Sequence, residues 1–563
     1  MANFVLLIWP VVALCFFAAL GREKGMIWSV IVGYLLLPET ISIAIPGLPD
    51  YEKLSAISLS ALIGTFLFRY KPSWPELEVV APPSDHGPMI AAVWAEILEL
   101  EADDIPHDKS FRELGGDLRL ARKAARMLVE RGLKRKTAWG IYKGSTIKDL
   151  STVVLLDGPR QLGSHALAVV FYTLLVILSA AAFVTVMTNL YPLIDGNRTR
   201  SGLTLNDAIS MISEPVIAMV PFFLAVAILK RGVQHVEVFK AIALCGAAYA
   251  AFAFVEVRLS PQMNIWVYGF FQHSWQQHFR NGYRPIVFLD HGLSLGFFLM
   301  TATLACMALF RQLKGIDRYR YLLIGLWIFA ALALSRNLGA MMLFLFFAPF
   351  VLIAPTKLQA WLVAAVAIIF MAYPAIRQAE LLPIDKFTEI IAEEISVDRA
   401  ASLQFRLQNE TAMALRAGEK PLFGWGGWGR QRIINEAGAD TTVSDGTWII
   451  ILGERGWVGY ICFFGLLAIP MIYLIFSVRR KEVSPVILTA GLIMAANLIY
   501  LVPNSTLSPV GWLLTGTIAG FIRWHLADAK SDADNEDVEE LRPYTPYTRF
   551  SQDHMRPGLT ADS

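Results

Sequence analysis

Charge is scarce in this sequence. Asp, Glu, Lys and Arg make up 17% of its 563 residues, against about a quarter in soluble domains. With 55% of the chain hydrophobic, that shortage excludes a water-soluble globular protein. It also excludes a disordered chain, which needs low hydrophobicity and high charge. An excess of one sign is lacking too: 49 basic residues against 47 acidic ones leave +2, so the totals hold no nucleic-acid footprint. Cysteine is rare. Cys15, Cys245, Cys306 and Cys462 all lie in apolar runs. They have no metal-ligand spacing and sit outside loops where an oxidising compartment would pair them. They read as small packing or lipid-facing residues. The amino terminus shows no basic stretch and no small-residue cleavage site, so residues 3–20 are expected to be a retained span rather than a signal peptide. What the chain has in plenty is apolar length, with a mean hydropathy of +0.49. It reads as a polytopic, all-α membrane helix bundle.

A helix needs about 20 apolar residues to cross the hydrocarbon core. About thirteen stretches approach this, near 3–20, 25–46, 53–70, 163–190, 207–229, 236–256, 286–310, 320–335, 338–354, 358–374, 457–477, 485–502 and 506–523. Residues 322–354 would make one helix of roughly 50 Å, too long for a single crossing. Ser335-Arg336-Asn337, followed by Gly339, is the polar break, so a hairpin is expected there. Basic residues fall in alternate connections: Arg22 and Lys24, Lys230 to Lys240, Arg311 to Arg320, and Arg479 to Lys481. By the positive-inside rule these face the cytoplasm. The amino terminus and the connections near 191–206, 257–285, 336 and 375–447 then lie outside; the insert at 71–162 and the carboxy terminus lie inside. The organisation expected is three spans in 1–70, a soluble insert at 71–162, seven spans in 163–374, a long outer loop at 375–447, three spans in 448–525, and a polar tail at 526–563 whose composition suits disorder. No internal repeat of 20 to 50 residues is visible.

The insert is organised differently. A helical pattern from Met89 to Leu100 is followed by a polar loop, Phe111, Leu114 and Gly115-Gly116-Asp117, a helix over 118–131, a short helix near Trp139 and a last one starting at Ser145. Over about 70 residues this resembles an acyl or peptidyl carrier protein, most closely in the run 93–117. That family attaches phosphopantetheine to a serine directly after Gly-Gly-Asp. Here the position is Leu118, which has no acceptor oxygen, and Ser110 and Ser145 are distant in sequence. No phosphopantetheine arm is therefore expected. Arg119, Arg122, Lys123 and Arg126 recur at i, i+3, i+4 and i+7 and share one helix face. That face suits either anionic inner-leaflet lipid or an acidic cytoplasmic protein partner.

Two segments near the long outer loop carry further chemistry. Residues 405–429 supply Arg406, Pro421, Gly424, Trp425, Gly426, Trp428 and Gly429; residues 444–459 supply Asp445, Trp448, Glu454, Gly456 and Gly459. The pair resembles the signature of the O-antigen ligase and O-antigen (exopolysaccharide) polymerase superfamily, in which an Arg and a Pro-x-x-Gly-x-Gly turn precede a His-Asn-x-Tyr segment ending in Glu-x-Gly-x-x-Gly. Upstream, Leu332 to Ala340 resembles its Ser-Arg-Gly element, and Phe279 to Gly292 its outer-loop Arg/Pro segment. The resemblance spans roughly the last 300 residues and implies a bacterial inner-membrane enzyme. Such an enzyme transfers a glycan from a polyprenyl diphosphate to a hydroxyl of an acceptor glycan or lipid on the periplasmic face, by inversion and without a metal or cofactor.

A departing diphosphate needs fixed positive charge, which Arg supplies in a fork that matches phosphate oxygens. Arg336 is the first candidate, at the hairpin tip, where burial to mid-bilayer would cost about 2.5–3.5 kcal/mol; headgroup snorkelling is the plain alternative. Arg284 is expected to hold the diphosphate with Arg336, and Arg406 to assist; for Arg280 and Arg284 ordinary interfacial anchoring suits as well as diphosphate binding. Asp445 stands where the family has histidine, and Gly446 where it has asparagine. A carboxylate with a free pKa of about 3.9 is a weak base unless burial raises it. The substitution leaves an altered base, a different acceptor or an inactive relative. Glu454 reads as structural. Trp425 and Trp428 suit sugar stacking or an aromatic belt equally. His273, His278 and His291 around Asp290 lack metal-ligand spacing. A non-catalytic scaffold or regulator of surface-polysaccharide assembly, acting through the insert, is the rival reading.

Overall fold

The computed structural model describes residues 1–45, 49–68, 86–101, 105–106, 108–130, 141, 162–230, 232–272, 282–379, 389, 393, 397–442, 446–480, 483–505 and 507–523. Its described residues pack as two units, one of residues 1–68 with 162–523 and the other of residues 86–141.

The large unit is mostly helical and carries the apolar helices of a multi-pass membrane protein. Each of the thirteen apolar stretches contains a helix. Among the described residues seven helices are long and apolar enough to cross a membrane: Ala2–Leu20, Leu167–Met187, Leu205–Ile228, Gly232–Leu259, Gly292–Gln312, Thr356–Gln378 and Thr447–Arg479. The other six fall short for visible reasons. Arg22–Leu36, Lys53–Leu67 and Leu338–Leu352 have 15 residues each and Pro485–Tyr500 has 16, about 23 Å of helix against about 30 Å of hydrocarbon. The last helix, 509–523, is equally short, and Gly315–Leu334 spends its first turns on Asp317, Arg318 and Arg320. The hairpin turns at Ser335 to Asn337, between the helices Gly315–Leu334 and Leu338–Leu352.

Burial sorts the helices into centre and rim. Gly292–Gln312 and Pro485–Tyr500 are buried almost all round, as expected for helices enclosed by others. Ala2–Leu20 and Leu162–Met187 leave Phe4, Leu7, Val11, Val169, Tyr172 and Val176 exposed, an apolar outer surface suited to lipid. Two short antiparallel ribbons, Ser42–Ile43 with Tyr51–Glu52 and Leu193–Asp195 with Arg198–Arg200, are strands that the all-helical expectation did not include. All four cysteines are free; Cys306 and Cys462 are buried in the bundle and Cys15 is exposed on it.

The small unit contains the helices His86–Leu98 and Leu118–Glu130. Its core includes Ile90, Val93, Trp94, Phe111, Ala124, Leu128 and Ile141, with Trp94 edge-on to Phe111 at 5.1 Å. The Gly115-Gly116-Asp117 turn has a structural reason in each residue. Gly115 is left-handed at φ +91°, a β-carbon on Gly116 would enter the Phe111 ring, and the Asp117 carboxylate accepts from the Leu120 amide at 2.7 Å as a helix N-cap. The helices expected near Trp139 and from Ser145, and the tail at 526–563, lie outside the described residues.

Candidate functional site

Residues 335–337 are the hub of the candidate site. Ser335 is buried and donates to the Leu332 carbonyl at 2.7 Å. The Asn337 amide oxygen caps the next helix at the Ala340 amide, 3.1 Å. Its nitrogen donates to the Leu293 carbonyl at 3.2 Å and to the Tyr500 hydroxyl at 2.9 Å. Between them Arg336 takes a left-handed φ of 58°. A β-branched or bulky side chain is strained there, and the Arg336 guanidinium lies against Gly282. The 282–291 segment then brings in Arg284, 8% exposed, which lies over Gly292 at the start of the helix Gly292–Gln312. His291 caps that helix, its Nδ1 accepting from the Leu293 amide at 2.9 Å.

Two further segments meet this hub through Tyr500. Tyr500 stacks on Phe297 at 5.1 Å and ends the helix Pro485–Tyr500. The turn that follows takes up the segment 446–447: the Thr447 amide donates to the Leu501 and Asn504 carbonyls at 3.1 and 3.2 Å, and Gly446 packs on the Val502 carbonyl. Arg406, from the amphipathic helix Val397–Gly418, donates to the Pro503 carbonyl at 3.3 Å. Arg284, Arg406 and Tyr500 lie within electrostatic reach of one another. Burial lowers the Arg284 guanidinium pKa, Tyr500 opposes that and Arg406 adds to it. Arginine keeps its proton regardless, so the site gathers permanent positive charge from three distant stretches of chain. Such a site is built for an anion.

The helix bearing Arg406 is held by residues that sequence reasoning passed over. One turn on, Glu410 forms an ion pair with Arg377 at 3.3 Å and accepts from the Trp448 indole at 2.7 Å and the Tyr373 hydroxyl at 3.3 Å. Arg377 also donates to the Thr411 hydroxyl at 2.9 Å. Burial raises the Glu410 carboxyl pKa, outweighing the opposing charge of Arg377 and the indole, phenol and guanidinium hydrogen bonds. The available signals were an arginine at the end of an apolar span and a glutamate on an amphipathic helix. Neither names its partner.

The two glycine-rich motifs explain each other. The helix Thr447–Arg480 breaks at Gly456, where φ is 63° and ψ −170°. The break frees the Trp457 and Val458 amides, which donate to the Pro421 and Leu422 carbonyls at 2.7 and 3.2 Å. In return the Trp425 and Gly426 amides donate to the Gly453 and Glu454 carbonyls, both at 2.9 Å. The Pro-x-x-Gly-x-Gly turn is thus paired like a strand against an opened helix. Glu454 accepts from the Gln431 amide at 3.0 Å, and Arg455 donates to the Met211 carbonyl at 2.7 Å. Glu454 belongs to this scaffold.

The tryptophans separate. Trp425 is 7% exposed, its indole donates to the Arg416 carbonyl at 2.8 Å, and the Arg416 and Lys420 cations lie 3.8 and 4.7 Å from its ring centre. The ring is enclosed by protein groups, where the sequence left sugar stacking and an aromatic belt equally open. Trp428 is 78% exposed, with its indole on Asp207 at 2.6 Å. Asp445, Arg280, His273 and His278 lie outside the described residues. On the small unit, Arg119, Arg122, Lys123 and Arg126 are all exposed, opposite the buried Ala121, Ala124, Ala125 and Leu128. A cavity of about 210 Å³ lies beside the arginine hub, lined by Tyr34, Glu39, Lys53, Asp290, Ser294 and Ser508 among others; no arginine is among the described residues that line it. No protein-family model, curated protein or solved structure matches this chain.

Proposed function

We propose that the protein is a membrane glycosyltransferase of the ligase or polymerase kind, moving a glycan from a polyprenyl diphosphate onto an acceptor hydroxyl at the outer face of the bacterial inner membrane. The observation that supports it is the gathering of Arg284, Arg336 and Arg406 around Tyr500 and Asn337, beside the 446–447 segment. Arg336 and Arg284 hold the donor diphosphate, and Arg406 adds charge as the leaving group forms. Arg280 belongs to the same outer loop and is assigned the same supporting role. Asp445 takes the proton from the acceptor hydroxyl. The acceptor oxygen attacks the anomeric carbon from the opposite face, the bond from that carbon to the diphosphate oxygen breaks, and the electron pair leaves with the polyprenyl diphosphate. Fixed cations stabilise that charge, so the leaving group needs no proton.

In this reading thirteen spans set the amino terminus outside and the small unit and tail inside, following the Lys/Arg bias of the connections. The small unit resembles a carrier protein without its attachment serine and serves docking rather than acyl carriage. The test is surface-polysaccharide electrophoresis of strains carrying Arg336→Ala, Arg336→Lys or Asp445→Asn. Ligated or polymerised product disappears with Arg336→Ala and Asp445→Asn while membrane levels of the protein hold; Arg336→Lys restores part of it. Unchanged glycan ladders in both loss variants would leave the scaffold reading, which the four exposed cations of the small unit favour as a partner or lipid contact.

A further inference from the structure

We propose that the cavity beside the arginine hub is the acceptor subsite, and that it takes a neutral sugar ring whose hydroxyls donate to carboxylates. This rests on the glycosyltransferase reading above. The cavity is formed where the ends of several helices meet: Tyr34 near the end of one, Glu39 in the loop that follows, Glu52 in the strand Tyr51–Glu52, Lys53 and Ile57 opening the next helix, Asp290 and Ser294 at the start of Gly292–Gln312, and Ser505 and Ser508 before the last helix. Its volume of about 210 Å³ admits a ring-sized ligand.

The lining is acceptor-rich and electronegative. Three carboxylates face one ammonium, and that ammonium is already committed, with Lys53 Nζ 2.5 Å from Glu39. Burial first, and then the neighbouring Glu214, Glu39 and Asp50 charges, raise the Glu52 carboxyl pKa. Such a lining repels a diphosphate, so the cavity cannot serve the donor. One of its groups also lacks the hydrogen bonds that buried polar atoms in folded proteins ordinarily make. Ser294 is 4% exposed and lines the cavity, and its hydroxyl has no hydrogen-bond partner among the described residues. A hydroxyl-bearing ring satisfies it.

The subsite and the hub share their frame. Leu293, between Asp290 and Ser294 on one side and the arginines on the other, gives its carbonyl to Asn337 and Tyr500. Asp290 is within electrostatic reach of Tyr500. An acceptor ring in the cavity therefore stands next to a diphosphate on the arginines, with opposite charges sorting the two substrates into their places.

The experiment is saturation-transfer NMR on the full chain in nanodiscs, with glucose, galactose, mannose and N-acetylglucosamine as neutral probes and glucuronate as the anionic control. In parallel, binding of a short-chain polyprenyl diphosphate is measured by fluorescence. At least one neutral sugar should give signal and glucuronate should not; Asp290→Asn and Ser294→Ala should each weaken that binding about tenfold, the loss of a hydrogen bond to a buried or charged acceptor. Both should leave diphosphate binding intact, whereas Arg284→Ala should remove diphosphate binding and leave sugar binding. Absence of any sugar signal, or signal indifferent to Asp290→Asn and Ser294→Ala, overturns the subsite. Diphosphate binding indifferent to Arg284→Ala, with sugar binding retained, overturns the donor site and leaves the subsite standing.

Discussion

Gly456→Ala puts the scaffold beneath the candidate site to a quantitative test. Its φ and ψ of 63° and −170° lie in a region open essentially to glycine. A β-carbon there would enter the Leu422 carbonyl. Strain of that kind costs about 1–3 kcal/mol. Relieving it by letting the helix close would break the pairing with Pro421 and Leu422; each backbone bond lost costs about 1 kcal/mol net. With the strain kept, or two of the four bonds given up in its place, the loss by either route is about 1–3 kcal/mol, against the 5–15 kcal/mol that proteins hold in reserve. The assay is thermal unfolding in detergent followed by tryptophan fluorescence. Gly427→Ala is the control, because Gly427 has ordinary φ and a β-carbon there meets nothing within 4 Å. The expected result is a clearly lowered midpoint for Gly456→Ala and an unchanged one for Gly427→Ala. Equal midpoints would show that the broken helix is not held open by residues 421–426.

Three other outcomes follow from the same geometry. Glu410→Gln leaves Arg377, its side chain 6% exposed, without its carboxylate. Because the Glu410 carboxyl is raised above its ordinary 4.5, its proton-linked stabilisation is complete below pH 4.5 and is lost as pH rises through the folded value; the variant's stability should lack that slope, and a slope identical to wild type would refute the assignment. Asp117→Ala removes the N-cap on Leu120 and should cost about 1 kcal/mol, seen as faster amide exchange confined to residues 118–130. Treatment with a phosphopantetheinyl transferase and coenzyme A should leave the intact mass unchanged, since Leu118 has no hydroxyl; added mass would refute that.

The sequence by itself determined the class of molecule and its punctuation. Apolar length against sparse charge can only be reconciled by helices with lipid or protein on every side, and Ser335 to Asn337 had to be a turn because no polar alternative exists within that apolar stretch. Spacing likewise fixed the basic face of 119–126, since 3.6 residues per turn is a local property. The tertiary structure alone decided which distant residues meet. Gly456 and Gly424 look like two motifs in the chain and are one pairing in space; Trp425 suits sugar stacking or an aromatic belt equally in the chain, and in space Arg416 lies on its ring; Glu410 gains its role only from Arg377 and Trp448. Asp290 was noticed in the chain for its histidine neighbours, and only packing set it in a cavity wall beside Ser294. Local periodicity is written in consecutive residues, whereas a site depends on contacts between segments hundreds of residues apart, and single side chains carry no record of their eventual neighbours.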